Sequence, residues 1–284
     1  VSFSGGKDST VLLDLARRIY PDIEAVFIDT GLEYPEIKQF VKTKENVTII
    51  KPEMRFDEVI KRYGYPLLSK DNAQKIYELR TTHSDKVKNI RLNGYPNGSG
   101  KLPKKWQYLV DSDFLISHKC CSVMKKRPSK LYEKETNKHP IIGTMTYEST
   151  NRKTKWLKDG CNAFETKRPI SAPMSFWTEQ DIFKYLYEFG VDYCPVYGSI
   201  IITDRQTDRQ LYSCTGCDRT GCIFCGFGCH LEKEPNRFQR LQKTHPRQYD
   251  YCIGGGKYVD GIWQPNKNGL GLSHVLDEIG VNYR

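Results

Sequence analysis

Hydrophobic positions in the first fifty residues follow two different periods. Val11, Leu12, Leu15, Ala16 and Ile19 recur at helical spacing over residues 9–19, and Ala25-Val26-Phe27-Ile28 then forms a short apolar block closed by Asp29-Thr30-Gly31. Ile37, Phe40 and Val41 mark a second amphipathic stretch, and Val47-Thr48-Ile49-Ile50 a second apolar block. Blocks of strand character alternating with helical stretches predict an α/β fold, a parallel sheet flanked by helices. His139-Pro140-Ile141-Ile142-Gly143-Thr144 reads as a further strand. Thr178 is placed to cap a helix whose Ile182, Tyr185, Leu186 and Phe189 share one face before Gly190 ends it.

Between these elements, residues 94–105 are rich in turn formers and charge, which predicts a loop or mobile insertion able to close over a substrate. Beyond about residue 205 the pattern turns cysteine-rich and irregular, then basic and aromatic. The expected organisation is a nucleotide-binding α/β domain over residues 1–175, with a basic insertion near 86–138, and a helical, cysteine-rich region over 176–284. No internal repeat or low-complexity tract interrupts it.

Composition narrows the class. The 284 residues are 38% hydrophobic and 12% aromatic, as in a globular chain, and no apolar run approaches the roughly 18 residues that cross a bilayer. The expectation is a soluble, cytoplasmic protein without a membrane partner. Val1-Ser2-Phe3 carries neither a basic start nor an apolar signal segment. It is also short for a strand feeding a Gly-rich turn, so further native residues, a targeting signal among them, are expected ahead of it.

Lysine and arginine outnumber acids by 44 to 34, a net charge of +10. The excess is uneven: residues 86–138 hold 13 Lys/Arg against 4 Asp/Glu, interleaved with Tyr95, Trp106, Tyr108, Phe114 and Tyr132. Charge with interspersed aromatics suits a nucleic-acid partner. A solvated basic face is the equal alternative.

Of the ten cysteines, Cys120, Cys121, Cys214, Cys217, Cys222, Cys225 and Cys229 are clustered, which in a cytosolic chain favours metal over cystine. Cys161, Cys194 and Cys252 stand alone and read as small buried hydrophobes.

Ser4-Gly5-Gly6-Lys7-Asp8-Ser9 lies between a strand fragment and the first helix, where backbone N–H groups face an incoming anion. Lys7 can neutralise phosphate charge, the Ser4 and Ser9 hydroxyls can donate hydrogen bonds, and Asp8 can orient a magnesium ion on the same phosphates. This hexapeptide resembles the signature loop of the PP-loop ATP pyrophosphatases, which split ATP between its α and β phosphates. The resemblance implies an adenine nucleotide alpha hydrolase-like, Rossmann-like sheet, an adenine nucleotide partner (ATP with Mg2+), and a place near the nucleotide for Asp29 and Thr30.

Lys119-Cys120-Cys121, followed by Lys125 and Gly221-Cys222-Ile223-Phe224-Cys225, resembles the paired cysteines that ligate a [4Fe-4S] cluster in adenylylsulfate reductases. That likeness implies Cys120, Cys121, Cys222 and Cys225 as ligands. By ligand softness zinc is the competing metal. Cys214-x-x-Cys217 with Cys222-x-x-Cys225 is a competing ligand set, and the enzymes of DNA phosphorothioation also combine a phosphate loop with downstream clustered cysteines. With the first set as ligands, Cys214, Cys217 or Cys229 is left as a redox or sulfur-carrying thiol.

Gly143-Thr144-Met145-Thr146-Tyr147-Glu148-Ser149-Thr150-Asn151-Arg152 resembles the sulfonucleotide-reductase segment in which a Gly-rich strand end precedes a serine and an arginine. By that likeness Gly143 lies at the nucleotide and Arg152 grips an anionic group, with Lys153, Lys155 and Arg168 nearby in sequence; Thr144-Met145 departs from the arginine usual there.

These resemblances make the chain similar to the PAPS reductase-like branch of the PP-loop superfamily. The activity they imply is ATP-dependent sulfur transfer with adenylation of an acceptor, catalysed around Lys7, Asp8 and Arg152, with a sulfur-donor protein and a cluster that holds or delivers sulfide; the basic 86–138 region is expected to position a nucleic-acid or other phosphate-bearing acceptor. The alternatives are a reductase acting on adenylylsulfate or its 3'-phosphorylated form, and a noncatalytic iron–sulfur nucleic-acid-binding protein. The reductase expectation is weakened by the tail: Tyr251-Cys252-Ile253-Gly254 lacks the Glu-Cys-Gly-φ-His pattern, φ being apolar, that such enzymes carry.

Overall fold

The computed structural model describes residues 1–204 and 210–284. They form two compact units, each built from two stretches of chain: Val1–Pro52 with Arg127–Cys222, and Glu53–Lys126 with Ile223–Arg284. The boundary expected after residue 175 falls inside the first unit, and the basic segment 86–138 is shared between the two.

In the first unit, α1 (Lys7–Ile19), β1 (Ala25–Ile28), α2 (Pro35–Lys42) and β2 (Val47–Ile50) alternate as the hydrophobic pattern predicts. β1 pairs in parallel with β2, from Ala25 opposite Val47 to Ile28 opposite Ile50. On its other side Ser2 bridges Val26 in parallel, and the Ser2 N–H donates to the Ile141 carbonyl at 2.9 Å. Residues 1–3 therefore lie between β1 and the segment at Ile141, which itself bridges Ser171 in parallel. The result is an α/β fold in which the phosphate-loop segment leaves the middle of the sheet.

The strand expected over 139–144 is only a single bridge at Ile141. Pro140 has no N–H to extend the ladder, and Gly143 turns the chain against the first turn of α1, where an added Cβ would meet the Asp8 carbonyl at 3.5 Å.

α1 is held on two faces. Leu13 joins Phe3, Ala25, Phe27, Ile37, Phe40 and Val41 in one cluster. Val11 and Leu12 join Met145, Met174, Ile182 and Leu186 in another. Each fully buried aliphatic side chain contributes roughly 1.5–3 kcal/mol, so the helix N-terminus is fixed from both sides. The Glu179–Glu188 helix that supplies Ile182 and Leu186 starts at a reciprocal cap: the Thr178 N–H donates to Asp181 Oδ2 at 2.7 Å, and the Asp181 N–H to Thr178 Oγ1 at 3.3 Å.

The second unit is mainly helical around a two-residue parallel pairing of Leu67–Leu68 with Gly226–Phe227. The C-terminal region is more regular than its composition predicts, with helices Arg237–Thr244, Pro246–Ile253 and Leu272–Glu278. Asn236 caps the first of them, accepting from the Phe238 and Gln239 N–H groups at 3.0 and 3.2 Å. These helices are short and polar outside, so their period is hard to see in sequence. Of the aromatics interleaved with the basic residues, Trp106 and Phe114 are buried, whereas Tyr95 and Tyr108 are exposed. No helix among the described residues is long and apolar enough to cross a membrane.

Candidate active site

The phosphate loop joins the strand at residues 1–3 to α1, and Gly5 makes the turn possible. Its φ of +71° is in the left-handed region, and a Cβ there would sit 2.8 Å from Ile37 Cγ2 and 2.9 Å from Val41 Cγ2. Gly6 is the N-cap of α1 and has no side chain to bond the helix amides. The donors are instead satisfied from nearby. The Ser4 N–H donates to Ser9 Oγ at 3.1 Å, the Gly6 N–H to Ser4 Oγ at 3.3 Å, and the Lys7 N–H to the Tyr197 hydroxyl at 3.1 Å. Tyr197 in turn lies 2.5 Å from Thr220 Oγ1. A phosphate entering this loop therefore exchanges hydroxyl partners for its own oxygens.

Lys7 is 4% exposed. Its Nζ is 2.9 Å from Glu179 Oε1, donates to the Asp218 carbonyl at 2.8 Å, and faces the rings of Phe183 and Tyr197 at 5.4 and 5.5 Å. The next residue is its electrostatic opposite. Burial pushes the Asp8 carboxyl above the ordinary value; Lys7 opposes this, Glu179 reinforces it, and Arg219 and Arg152 oppose it. Asp8 Oδ1 is buried without a hydrogen-bond partner. A carboxylate oxygen left open beside a phosphate loop fits the single protein ligand that magnesium commonly takes alongside phosphate oxygens.

At the end of β1, burial resists ionisation of Asp29, but a bond from Lys38 at 2.6 Å and the Gly31 N–H hold its carboxyl below the ordinary value. Thr30 is buried, its Oγ1 donating to Glu33 Oε1 at 2.6 Å. Arg152 lies in the Thr150–Asp159 helix, whose N-cap Ser149 accepts from the Arg152 N–H at 3.3 Å. Its guanidinium pairs with Glu148, which also holds Arg219 at 2.8 Å. Arg152, Lys155, Trp156 and Cys161 line a cavity of about 160 Å3 with Thr144 and Met145. Cys161 is thus half-buried on a cavity wall, accepting from Trp156 Nε1 at 3.2 Å, rather than deep in the core. Cys194 and Cys252 are buried as expected.

The structure brings Ser4, Gly5, Gly6, Lys7, Asp8, Ser9, Asp29, Thr30, Gly143 and Arg152 into one unit. Sequence reasoning missed Glu179, Tyr197, Arg219 and Thr220. Arg219 lies between Cys217 and Cys222 in a stretch read for metal ligands and reactive thiols, and Glu179 shows in sequence only as the first residue after a helix cap.

The cysteines are distributed differently. Cys214, Cys217 and Cys222 belong to the first unit; Cys120, Cys121, Cys225 and Cys229 to the second. Cys121 precedes a π-helical turn, Ser122–Lys126, a distortion often found at functional sites. Burial raises the Cys225 thiol, with Cys121 adding to the rise, and pushes Cys229 up to about 12, with Cys225 again adding to the rise. Among the described residues no group of three or more His, Cys, Asp or Glu side chains is gathered to hold a metal ion.

The phosphoadenosine phosphosulfate reductase domain family matches residues 1–85 and 67–226, a span that takes in the phosphate loop, Arg152 and both cysteine pairs. The chain belongs to that family. An uncharacterized Methanocaldococcus jannaschii protein, MJ0066, is 28% identical over 281 residues, covering 93% of this chain and 45% of its own length. Sulfate adenylyltransferase subunit 2 of Pseudoalteromonas translucida is 25% identical over 210 residues, 69% of this chain and 59% of that protein. Adenosine 5'-phosphosulfate reductase of Geobacillus sp. is 37% identical over 83 residues, 27% of this chain and 35% of that protein. The chain spans about half the length of the first two curated relatives it matches.

Proposed function

We propose that this family member binds ATP at residues 4–9 and uses it to adenylate an oxygen of an acceptor, after which a sulfur nucleophile displaces AMP. The observation that carries this reading is the intact pair of a buried Lys7 and an Asp8 carboxylate oxygen with no partner. In the first step the acceptor oxygen attacks the α phosphorus, the bond to the β-phosphate oxygen breaks, and pyrophosphate leaves with that electron pair. In the second, sulfur attacks the activated carbon or phosphorus and AMP leaves with the former acceptor oxygen.

Lys7 neutralises charge on the departing pyrophosphate. Asp8 holds magnesium, which when bound supplies Lewis-acid stabilisation of the same phosphates. Arg152 steadies the anionic group entering beside it. A nucleic-acid acceptor is supported by the basic 86–138 stretch with Tyr95 and Tyr108 exposed, and the sulfur donor is proposed to be a second protein.

The reductase reading is favoured by the Geobacillus likeness, but Cys252, the thiol nearest in sequence to a reductase tail, is fully buried with its pKa raised well above the ordinary value. Product analysis separates the readings. Pyrophosphate from ATP supports adenylation, sulfite from adenylylsulfate moves the assignment to a reductase, and neither product leaves a binding protein.

A [4Fe-4S] cluster on Cys120, Cys121, Cys222 and Cys225 is a separate proposal, supported by their sequence pattern. Anaerobic purification is expected to yield iron and acid-labile sulfide in equal amounts, lost on Cys→Ser change at any of the four; zinc without sulfide contradicts it.

A further inference from the structure

Lys7 is contacted by a segment that the phosphate-loop motif does not include. An antiparallel strand pair, Ile200–Asp204 with Leu211–Cys214, leads into residues 215–222. The Gly216 N–H donates to the Tyr197 carbonyl at 2.9 Å and the Cys217 N–H to the Val196 carbonyl at 2.9 Å, which fixes the start of that segment. Asp218 then accepts through its carbonyl from Lys7 Nζ at 2.8 Å. Thr220 holds the Tyr197 hydroxyl, which takes the Lys7 N–H. Arg219 lies between these two residues, so its backbone is anchored on both sides at the anion-binding end of α1.

Its side chain is 72% exposed and paired with Glu148 at 2.8 Å. An exposed ion pair of this kind contributes little, and the Glu148 carboxylate is shared with Arg152. Each guanidinium carries five N–H donors, more than one shared carboxylate can accept. The charge of Arg219 already reaches the loop, since it acts with Lys7 and Arg152 to oppose the rise in the Asp8 pKa. A pyrophosphate at the loop offers oxygens to a planar fork that Lys7, a point charge, cannot match.

We propose that Arg219 is a phosphate-contacting residue, exchanging Glu148 for the β- and γ-phosphate oxygens of the bound nucleotide. This rests on the reading of residues 4–9 as an ATP site. It makes the 215–222 segment a part of the nucleotide site and gives preference for a pyrophosphate-bearing ligand over a monophosphate.

The test is equilibrium binding of pyrophosphate, ATP and AMP, each with magnesium, to the purified chain and to Arg219→Ala and Arg219→Lys. Loss of a charge-assisted bidentate contact weakens pyrophosphate and ATP by roughly 10- to 100-fold in Arg219→Ala, with AMP unchanged. Arg219→Lys falls between, because it keeps the charge and loses the fork. Arg219→Ala binding pyrophosphate as tightly as the parent, or losing AMP in the same proportion, overturns the proposal while the ATP site stands. A parent chain that binds none of the three removes the ATP site and this proposal together. Should Arg219→Ala melt much lower than the parent, Arg219→Lys decides: pyrophosphate binding equal to the parent's overturns the fork contact.

Discussion

Replacing Lys7 with methionine is expected to lower pyrophosphate release from saturating ATP by about two to three orders of magnitude, the loss typical of removing one preorganised group from a developing charge. Methionine is an unbranched side chain of similar length, and its apolar end can take the place of Nζ before the Phe183 and Tyr197 rings. The carboxylate left behind, Glu179, has 40% of its side chain exposed and stays hydrated, so the chain is expected to fold. Steady-state release measured beside a circular-dichroism melt checks both halves. An active Lys7→Met chain would show that charge at this position is dispensable.

Asp8→Asn is expected to separate stability from function. Because burial raises the Asp8 carboxyl above its ordinary value, the folded chain holds a proton there more tightly than the unfolded chain does. Stability from this group therefore falls as pH rises from the ordinary aspartate range through the raised folded value. Asparagine carries no charge to bury. Without magnesium, Asp8→Asn should melt above the parent at neutral pH, and the gap should close as the pH is lowered and the parent's Asp8 is protonated. Turnover should move the other way, falling on the order of 100-fold for lack of the magnesium ligand. Melting curves across pH, paired with turnover at one pH, test this; an Asp8→Asn chain that melts below the parent at neutral pH contradicts the burial cost.

Both outcomes depend on residues whose placement was partly legible in the sequence. The alternation around α1, β1, α2 and β2 appears directly because long apolar faces repeat at two clear periods. The phosphate loop was legible because its glycines and charges are contiguous. The partners of Lys7 were not: Glu179 and Asp218 come from positions more than 170 residues away, and no local period announces a contact made by chain crossing. The segment at 139–144 looked like a strand from its apolar content, but Pro140 and Gly143 limited it to one bridge. Composition cannot say which ring of the basic region faces inward; Trp106 and Phe114 do. Arg219 has no local signal among the cysteines that flank it; the contacts of Asp218 and Thr220 bring it to the phosphate loop.

The proposed reaction cleaves ATP between its α and β phosphates at this loop. The most direct measurement follows ATP labelled at the α-phosphate through anaerobic turnover with sulfide and an RNA or DNA fraction. Label recovered in AMP or in an adenylated acceptor, with pyrophosphate in equal amount and none formed by Lys7→Met, is the predicted result. Label recovered in ADP with inorganic phosphate, or the same AMP yield from Lys7→Met, would contradict the account.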